Sequence, residues 1–442
     1  MSSRQEILKQ FEEKSYYMNE RIADGIETGR KGFAFVELVD EQGNAVKDAE
    51  VTISQKTHDF KYGANLFMLD EIPDDADKNE KYKQYFADAF NIATLPFYWD
   101  TLEPEPGKPR FAKDSPKSYR RPAPDLCLEF CDANGIEPKA HCLNYNSYRP
   151  EWVKGTVSWE KRCLEKRFRE LAERYAGKIP MWEVTNETFW GYDKGNFYSQ
   201  PDFIEWSFAL AENYFPANKL IINDAHCRIW DYMWYDKERS PYYMQIERAM
   251  FKGARIDSIG MQYHMFYKKE DEIKRTEAYY DPERIYDIMD TYARLGRPLQ
   301  ITELTIPAYS NSAEDEELQA QIIRNLYSIW FSHPAMEAIV YWNLPDGYAY
   351  GAVPGDMTCG ENYYYGGLIR FDFTPKPAYK VIQDLFKKEW RTNLKTHTDS
   401  SGKLSFKGFY GEYELTITAG GRKVSRNIHL NKEMNRHFRI EL

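Results

Sequence analysis

Short apolar runs alternate with amphipathic stretches through the central part of the chain. Eight of the runs have the length and composition of buried β-strands, at residues 60–67, 91–95, 138–143, 181–185, 219–223, 258–261, 298–302 and 338–342. Between them, residues 159–175 and 313–332 carry apolar side chains at helical spacing, and further helices can begin at Pro201, Pro241 and Pro282. Strands that alternate with helices pair in parallel, so we predict an α/β fold, a closed (β/α)8 TIM barrel. An open doubly wound sheet is disfavoured, because no glycine-rich dinucleotide fingerprint follows the first strand.

The two ends of the chain have the pattern of antiparallel strands. Residues 33–39 and 49–55 alternate apolar and polar positions around a turn at 42–44, which predicts a β-hairpin. Four more short strands, separated by turns that contain glycine, are predicted at residues 403–407, 413–419, 422–429 and 436–441. A hairpin alone is marginally stable, so we expect both ends to form one small accessory β-sandwich. The predicted organisation is an N-terminal helix and hairpin at 1–59, the barrel at 60–390 and C-terminal strands at 391–442.

Length and charge are consistent with this organisation and exclude some partners. The 442 residues accommodate one barrel, which needs about 250 residues before insertions, and a small accessory unit. The net charge is −10 and the basic residues are interspersed with acidic ones, so we expect neither a nucleic acid nor a membrane as partner. Aromatic residues make up 16% of the chain. Most belong to a large core, and some suit a surface on which sugar rings stack.

Cysteine spacing and the first residues bear on cofactors and location. The six cysteines follow neither a zinc-site pattern nor a disulfide framework, so we expect reduced thiols and neither a metal nor an organic cofactor. The first twenty residues lack the apolar segment of a signal peptide, which indicates a cytoplasmic protein as the sequence is written. A secreted or periplasmic protein whose signal peptide had been removed has the same appearance. The oligomeric state is left open.

Polar side chains cluster at the predicted C-terminal strand ends, where barrel enzymes carry their active sites. They are His141, Asn186, Glu187, Asn223, Asp224, Gln262, His264 and Glu303, with Trp342 beside them. A lone glutamate after a strand is more often a helix cap or half of an ion pair. Two glutamates after the fourth and seventh strands, with amides and imidazoles between them, instead predict a pair of carboxyl groups facing one mouth.

A pair of carboxyl groups is what glycoside hydrolysis requires. One must be protonated to donate to the leaving oxygen, and the other must be ionised to attack or to activate water. Separations of about 5–5.5 Å lead to retention of configuration and about 6.5–9.5 Å to inversion. A neighbouring anion helps to keep the acid protonated, because like charges resist joint ionisation.

The residues around these glutamates resemble a known family. Residues 182–187 (WEVTNE) are similar to the acid/base motif of glycoside hydrolase family 10, the xylanase family, and residues 301–306 (ITELTI) to its nucleophile motif. The resemblance extends over roughly residues 60–386. Further matches to its strand motifs are residues 140–143 with 150–152, 223–224, 260–262 with His264, and Trp342 with Asp346 and Tyr350.

The resemblance implies a role for each matching position. Glu187 is the expected acid/base and Glu303 the expected nucleophile of a retaining endo-β-1,4-xylanase, which needs no cofactor and has a β-linked oligo- or polysaccharide as its partner. Asn186 is expected to hold the sugar 2-hydroxyl, and His264 to orient Glu303. The other substrate-binding residues that we predict are His141, Tyr145, Asn146, Gln262, Trp342, Tyr350 and Trp99.

The sequence departs from the family where the more distant sugar is bound. Family xylanases carry a Glu, an Asn and a Lys between the second strand and a Trp, and these hold the sugar at subsite −2. Residues 94–99 (TLPFYW), which end at Trp99, lack all three. Tyr145 and Asn146 replace a Trp and a His of the third-strand motif, and Thr305 replaces the Asp two residues beyond the nucleophile.

These departures suggest an altered substrate. Each missing hydrogen bond removes about 0.5–1.5 kcal/mol, so we hypothesise that plain unbranched xylan is not the best substrate. A short, decorated or otherwise different β-glycan, cut in an exo-like mode, fits the sequence. Two alternatives stay open: a non-catalytic or weakly catalytic carbohydrate-binding barrel, and another retaining β-glycosidase of the same clan. Sugar binding without product release identifies the first, and a substrate screen the second.

Overall fold

A computed structural model of the chain describes residues 4–189, 195–225, 229–231, 236–433 and 436–442. The strands in this part of the chain are β1 (Lys31–Val39), β2 (Glu50–Gln55), β3 (Lys61–Asn65), β4 (Ile92–Pro96), β5 (Glu137–Asn144), β6 (Met181–Asn186), β7 (Lys219–Asp224), β8 (Ser258–His264), β9 (Leu299–Thr305), β10 (Met336–Tyr341), β11 (Asn393–His397), β12 (Lys403–Phe409), β13 (Gly411–Ala419), β14 (Arg422–Leu430) and β15 (His437–Glu441).

Strands β3 to β10 form a closed barrel. Neighbours in sequence pair in parallel, and β10 closes the ring by pairing with β3. Strands such as β8 and β9 are buried along their whole length, because helices cover the outside of the barrel. Because both faces of these strands are buried, their sequences are continuous apolar runs. The predicted (β/α)8 barrel is confirmed.

Helices connect the barrel strands and precede β1. Those in the described residues are α1 (Lys9–Glu13), α2 (Ser15–Gly29), α3 (Ala76–Ala89), α4 (Trp99–Leu102), α5 (Pro124–Asn134), α6 (Val157–Tyr175), α7 (Phe203–Tyr214), α8 (Pro241–Phe251), α9 (Glu272–Thr276), α10 (Pro282–Ala293), α11 (Ala313–Ser332) and α12 (Pro377–Asp384). Pro241 and Pro282 occupy the first turns of α8 and α10, and Pro201 precedes α7 by two residues. Side-chain caps at Thr156 and Ser312 accept from the backbone of α6 and α11.

The two ends of the chain form the predicted accessory sheets. One sheet has the order β12-β1-β15, and the other has the order β11-β2-β13-β14. Their apolar faces share one buried cluster, to which Val36, Val51, Leu415 and Leu430 belong. Strand β11 was not predicted, because its alternation is weak and none of its residues is fully buried.

The predicted hairpin between β1 and β2 is wrong. The two strands lie in different sheets, and only an isolated bridge joins Val39 to Ala45 at the turn. Asp40 caps that turn by accepting from the backbone of Gln42 and Asn44. Each strand has one apolar face, and packing the faces against each other buries both. A flat hairpin leaves them side by side on one surface.

The cysteines and the hydropathy of the helices complete the fold. Cys127, Cys131, Cys142 and Cys163 are buried free thiols, and Cys359 is an exposed one. Cys227 lies outside the described residues. Within the described part of the chain, no helix combines the length and the apolar character needed to cross a membrane.

Candidate active site

A cavity of about 260 Å3 opens at the carboxyl ends of the barrel strands. The sequence predicted nine of the side chains that line it: His141, Tyr145, Asn186, Glu187, Gln262, His264, Glu303, Trp342 and Tyr350. They come from strands or loops spread around the ring from β5 to β10. Parallel strands present all their carboxyl ends to one mouth, and this brings together residues that are distant in sequence.

Glu187 follows the last residue of β6. Its backbone has φ +49°, in the left-handed region that few residues other than glycine adopt. Its amide donates to the Asn223 carbonyl at 3.2 Å, which anchors the turn to the next strand. The Tyr145 hydroxyl donates to one carboxyl oxygen of Glu187, and Gln262 Nε2 donates to the other at 3.0 Å.

Glu303 lies within β9 and is 4% exposed. Its Oε1 accepts from Asn223 Nδ2 at 3.0 Å and from Gln262 Nε2 at 2.9 Å. Its Oε2 lies 3.3 Å from His264 Nε2. The other nitrogen of that ring contacts Thr305 Oγ1 at 2.9 Å, so a hydroxyl stands where family 10 enzymes place a carboxylate. The carboxyl group of Glu303 is therefore held from three sides.

One amide group joins the two glutamates. Gln262 Nε2 lies within hydrogen-bond distance of Oε1 of Glu187 and Oε1 of Glu303. The two oxygens are therefore at most about 5.9 Å apart, the sum of the two bond lengths of 3.0 and 2.9 Å. The carboxyl groups face the same cavity across a gap the size of one sugar ring.

The surroundings of Glu187 favour its protonated form. Burial raises the pKa of Glu187, and the nearby Glu303 charge raises it further. The hydrogen bonds from Tyr145 and Gln262 and the proximity of His264 oppose this rise without cancelling it. The site therefore places a carboxyl group suited to donate a proton beside a well-coordinated carboxylate.

A buried charged group supports the cavity from below. Glu183 accepts from Lys139 Nζ at 2.6 Å and lies 2.5 Å from His141 Nδ1. Burial alone would raise the pKa of Glu183, but Lys139 and His141 lower it to about 2. Burial alone would lower the pKa of His141, but the Glu183 carboxylate raises it. The pair fixes the ring of His141, whose Nδ1 lies 4.0 Å from Glu303.

An amide network orients Asn186 at the end of β6. Its Oδ1 accepts from Asn223 Nδ2 at 2.7 Å and from Gln262 Nε2 at 3.3 Å. Among the residues that the structure describes, none accepts from its amide nitrogen, and this leaves a donor for a ligand in the cavity. Asn223 fits here because position 260 is a glycine. A Cβ at that position would lie 2.6 Å from Asn223 Oδ1.

Aromatic rings form one wall of the cavity. Trp342 packs edge-on against Phe67 at 4.9 Å and against His141 at 5.6 Å between ring centroids. Tyr98 contacts the same His141 ring at 5.2 Å. Tyr350 lies at the rim and is 55% exposed. Flat rings of this kind stack on the C–H faces of sugars.

Two predicted binding residues are not brought into the cavity. The indole of Trp99 donates to Glu103 at 3.0 Å and packs edge-on against Trp152, which turns it into the core beside the barrel. Asn146 Oδ1 accepts from Arg149 at 2.9 Å and from the Gly195 amide at 3.0 Å, so it ties two loops together.

Seven further residues line the cavity and were not predicted: Tyr98, Arg120, Arg121, Tyr148, Ala225, Phe266 and Glu361. Tyr98 directly precedes Trp99, and the turn from β4 into α4 sends it inward in place of the tryptophan. The two arginines belong to the long loop between α4 and α5. The only available signal was an Arg-Arg pair in a loop on the carboxyl side of a barrel strand.

One cluster in the described residues has the spacing of a metal site. Ligand atoms of His141, Glu183 and Glu303 lie within 4.8 Å of one another. Glu183 already pairs with the Lys139 ammonium group, whose charge opposes a cation there. Both of its oxygens are engaged by protein donors. These residues do not fit a metal ion, and a two-carboxylate hydrolysis needs none.

The fold and the site together define a class of protein. An eight-stranded barrel whose mouth holds two glutamates bridged by one amide donor has the architecture of the (β/α)8 glycoside hydrolases. The chain belongs to glycosyl hydrolase family 10, which it matches over residues 61–385.

Relatives and solved structures agree with this family. The chain is 26% identical over 349 residues to Endo-1,4-beta-xylanase B of Thermotoga neapolitana, covering 75% of this chain and 88% of that protein. It is 25% identical over 427 residues to Anti-sigma-I factor RsgI6 of Acetivibrio thermocellus, covering 94% of this chain but only 48% of that protein. The chain thus spans about half the length of that relative.

Two solved structures show the same fold. Native xylanase 10B from Thermotoga maritima superposes with a TM-score of 0.58 at 24% identity, covering 75% of this chain and 96% of that one. Xylanase 10B from Thermotoga petrophila in complex with xylobiose also gives 0.58 at 24% identity, covering 75% and 95%. The matched parts correspond to the barrel, which the family match also covers.

Proposed function

We propose that this protein is a retaining glycoside hydrolase that cleaves β-1,4-linked xylan-type glycans or xylo-oligosaccharides by double displacement. The separation of at most about 5.9 Å between Oε1 of Glu187 and Oε1 of Glu303 carries this proposal. Inverting enzymes leave room for a water molecule, with carboxyl groups about 6.5–9.5 Å apart. We infer a xylan-type backbone because the relatives include named xylanases and a neighbouring structure holds xylobiose.

In the first step, the Glu303 carboxylate attacks the anomeric carbon. The bond from that carbon to the glycosidic oxygen breaks, and the oxygen takes the proton of Glu187 as the aglycone leaves. Burial and the charge of Glu303 raise the pKa of Glu187, which favours the protonated form that this step needs. The glycone is left bound to Glu303 through an ester.

In the second step, the Glu187 carboxylate removes a proton from water. The water oxygen attacks the anomeric carbon, the ester bond to Glu303 breaks, and the sugar leaves with its original configuration. Glu187 ends protonated and Glu303 ionised, as they began. Asn186 donates to the 2-hydroxyl of the bound sugar in this scheme, a contact that strengthens in the transition state.

In this proposal a loop contact made by Arg120 closes the glycone side of the cavity, and this favours short substrates or an exo-like mode. Arg120, in the loop after β4, donates to the Tyr348 carbonyl at 2.5 Å and to Asn343 Oδ1 at 3.0 Å, in the loop after β10. These loops therefore meet above β3, which lies between β4 and β10 in the barrel. A cavity of about 260 Å3 is smaller than the roughly 300–1,000 Å3 of a drug-sized pocket. It suits one or two sugar rings.

Three variants test the proposal with xylobiose, xylohexaose and an aryl β-xyloside. Glu303→Gln is expected to abolish turnover of all three. Glu187→Ala is expected to keep the rapid release of the aryl leaving group, which needs no proton, and to slow the second step on every substrate because the base is missing. Glu337→Gln is the matched control, since Glu337 lies at the start of β10, at the opposite end of the barrel, and pairs with Lys219. Full activity in Glu303→Gln contradicts the assignment.

Two measurements separate the competing interpretations. Proton NMR of the first-formed sugar is expected to show the β-anomer, and an initial α-anomer contradicts retention. Xylohexaose is expected to lose units from one end, whereas rapid internal cleavage contradicts the closed glycone side. Calorimetric binding without any product identifies a carbohydrate-binding barrel instead.

A further inference from the structure

Two buried arginines line the cavity without an ion-pair partner. Arg120 is 5% exposed and Arg121 is 8% exposed. In the described part of the chain, no carboxylate lies within 4.0 Å of either guanidinium group. The Nε atoms of both are buried and make no hydrogen bond to a described residue. Burying a charge in this way is costly unless something pairs with it, so these arginines need an explanation.

The two arginines have different surroundings. The guanidinium of Arg120 donates to the Tyr348 carbonyl and to Asn343 Oδ1. Arg121 makes one described hydrogen bond, from Nη1 to the Arg120 carbonyl at 2.9 Å, although a guanidinium has five N–H donors. Its face is stacked 3.7 Å above the Tyr98 ring, which holds the group in one orientation.

The stacking places Arg121 one aromatic ring away from the catalytic pair. Tyr98 separates it from His141, whose ring centroid is 5.2 Å from that of Tyr98 and whose Nδ1 is 4.0 Å from Glu303. Tyr98 belongs to the segment that lacks the family's polar residues for the second glycone sugar. Arg121 thus lies next to the position where the family's hydrogen-bonding side chains are missing.

Two acidic groups, Glu361 and Asp100, feel the charges of these arginines, and neither forms an ion pair with them among the described residues. Glu361 lines the same cavity and accepts from the Tyr350 amide at 3.3 Å. Burial raises the pKa of Glu361, although the charge of Arg120 opposes the rise. Glu361 attracts Arg120, and the charge of Arg121 opposes the rise that burial causes in the pKa of Asp100. No carboxylate of a described residue lies within 4.0 Å of the Arg121 guanidinium, so its spare donors remain for a ligand.

We propose that Arg121, supported by Arg120, binds a carboxylate carried by the glycone, so that the preferred substrate is a uronic acid-bearing β-glycan. The inference rests on the proposed function, because it names the sugar that the same site selects. A planar guanidinium matches a carboxylate with two parallel N–H···O bonds, and such bonds are about twice as strong as neutral ones. The acidic sugar thereby gains a charged anchor at the second glycone position, where this chain has no equivalent of the family's polar residues.

The experiment compares a charged probe with its neutral twin. The probes are xylotriose with a glucuronic acid branch on its non-reducing xylose, the methyl ester of that compound, and plain xylotriose. The native protein is expected to have a kcat/KM roughly tenfold to a hundredfold higher for the acid than for its ester. A fourth probe is an oligosaccharide whose non-reducing sugar is itself a β-linked glucuronic acid. Comparing it with the branched probe shows whether the site binds a carboxylate on a branch or one on the sugar backbone.

Variants assign the preference to the arginine. Arg121→Gln is expected to bring the acid-to-ester ratio of kcat/KM close to one, and Arg121→Lys to retain part of the ratio. Arg324→Gln, which removes a surface arginine paired with Glu389, is the control and is expected to keep the full ratio. If Arg121→Gln does not fold, two other measurements test the proposal. One is the acid-to-ester ratio of Arg121→Lys, and the other is the ratio of the native protein at high salt, which is expected to fall because salt screens the charge of the arginine.

The outcomes for the two proposals differ. A native protein that cleaves plain xylotriose but treats acid and ester alike overturns the arginine proposal and leaves the proposed function standing. A protein that cleaves none of the probes overturns the proposed function. In that case, calorimetry measures the affinity of Glu303→Gln for the acid and for its methyl ester. Equal affinities overturn the arginine proposal independently of catalysis.

Discussion

Replacing Tyr145 with phenylalanine perturbs the proton of Glu187 without touching either carboxyl group. The Tyr145 hydroxyl donates to Oε2 of Glu187, and Gln262 donates to Oε1 at 3.0 Å. A donor bonded to a carboxylate stabilises its ionised form and lowers its pKa. The variant keeps the Gln262 bond and the aromatic ring, so one stabilising interaction of the anion is removed.

The size of the effect follows from the kind of bond. Hydrogen bonds to charged groups contribute about 1.5–3 kcal/mol, and 1.36 kcal/mol corresponds to one pKa unit. The pKa of Glu187, already raised by burial and by Glu303, is therefore expected to rise by a further one to two units or so. The second step needs Glu187 as a base, and it slows at any pH below the new pKa.

The assay is the pH dependence of kcat/KM on an aryl xyloside with a poor leaving group. Its alkaline limb reports the acid of the free enzyme, and it is expected to move upward by about one to two pH units. Tyr148→Phe is the matched control, because its hydroxyl makes no described bond to Glu187, and its limb is expected to stay in place. A limb that does not move in Tyr145→Phe, or moves downward, refutes the reasoning.

Three further predictions concern stability. Lys139→Met removes the ammonium group that pairs with the buried Glu183 and is expected to lower the free energy of unfolding by about 3–5 kcal/mol in urea. A loss below 1 kcal/mol contradicts the pairing. Burial raises the pKa of Asp224 to about 7, above its unfolded value of about 3.9, so the folded state holds that proton more tightly. The stability this contributes is complete below about pH 4 and is lost as the pH rises through 7. Between pH 5 and pH 8, the free energy of unfolding of Asp224→Asn is expected to fall less than that of the native protein. If the free energy of both proteins has the same dependence on pH, the raised pKa of Asp224 is contradicted. Leu415→Ala is expected to destabilise the accessory sandwich by about 2–5 kcal/mol in denaturant unfolding, and no change there shows that its core does not depend on this side chain.

The barrel was predictable from sequence because its signal is local. Each parallel strand is buried on both faces, so a run such as Ser258–His264 is recognisable without knowledge of its neighbours. The ends of such strands meet at one mouth in every barrel, and this brings Glu187 and Glu303 together once the strands are counted correctly. These features require only the order of the elements.

The features that were missed depend on contacts between distant segments. The partners of Lys31–Val39 lie near the other end of the chain, and nothing in the alternation of its residues identifies them. Trp99 occupies the expected position, but the buried acceptor at Glu103 directs its indole away from the cavity. Arg120 reaches the mouth from a loop without periodicity, and a carbonyl more than 200 residues away in sequence holds it there.

The interleaving of the accessory strands has a consequence for how the chain folds. Strand β1 lies between β12 and β15, and β2 lies between β11 and β13, so each sheet needs both ends of the polypeptide. During synthesis, β1 and β2 leave the ribosome with unpaired edges while the whole barrel is still to be made. Exposed edges of this kind are templates for aggregation, and closing so long a loop is slow. A chain that stalls directly before Asn393, the first residue of β11, therefore carries a complete barrel together with two orphaned strands that are prone to pair with another molecule.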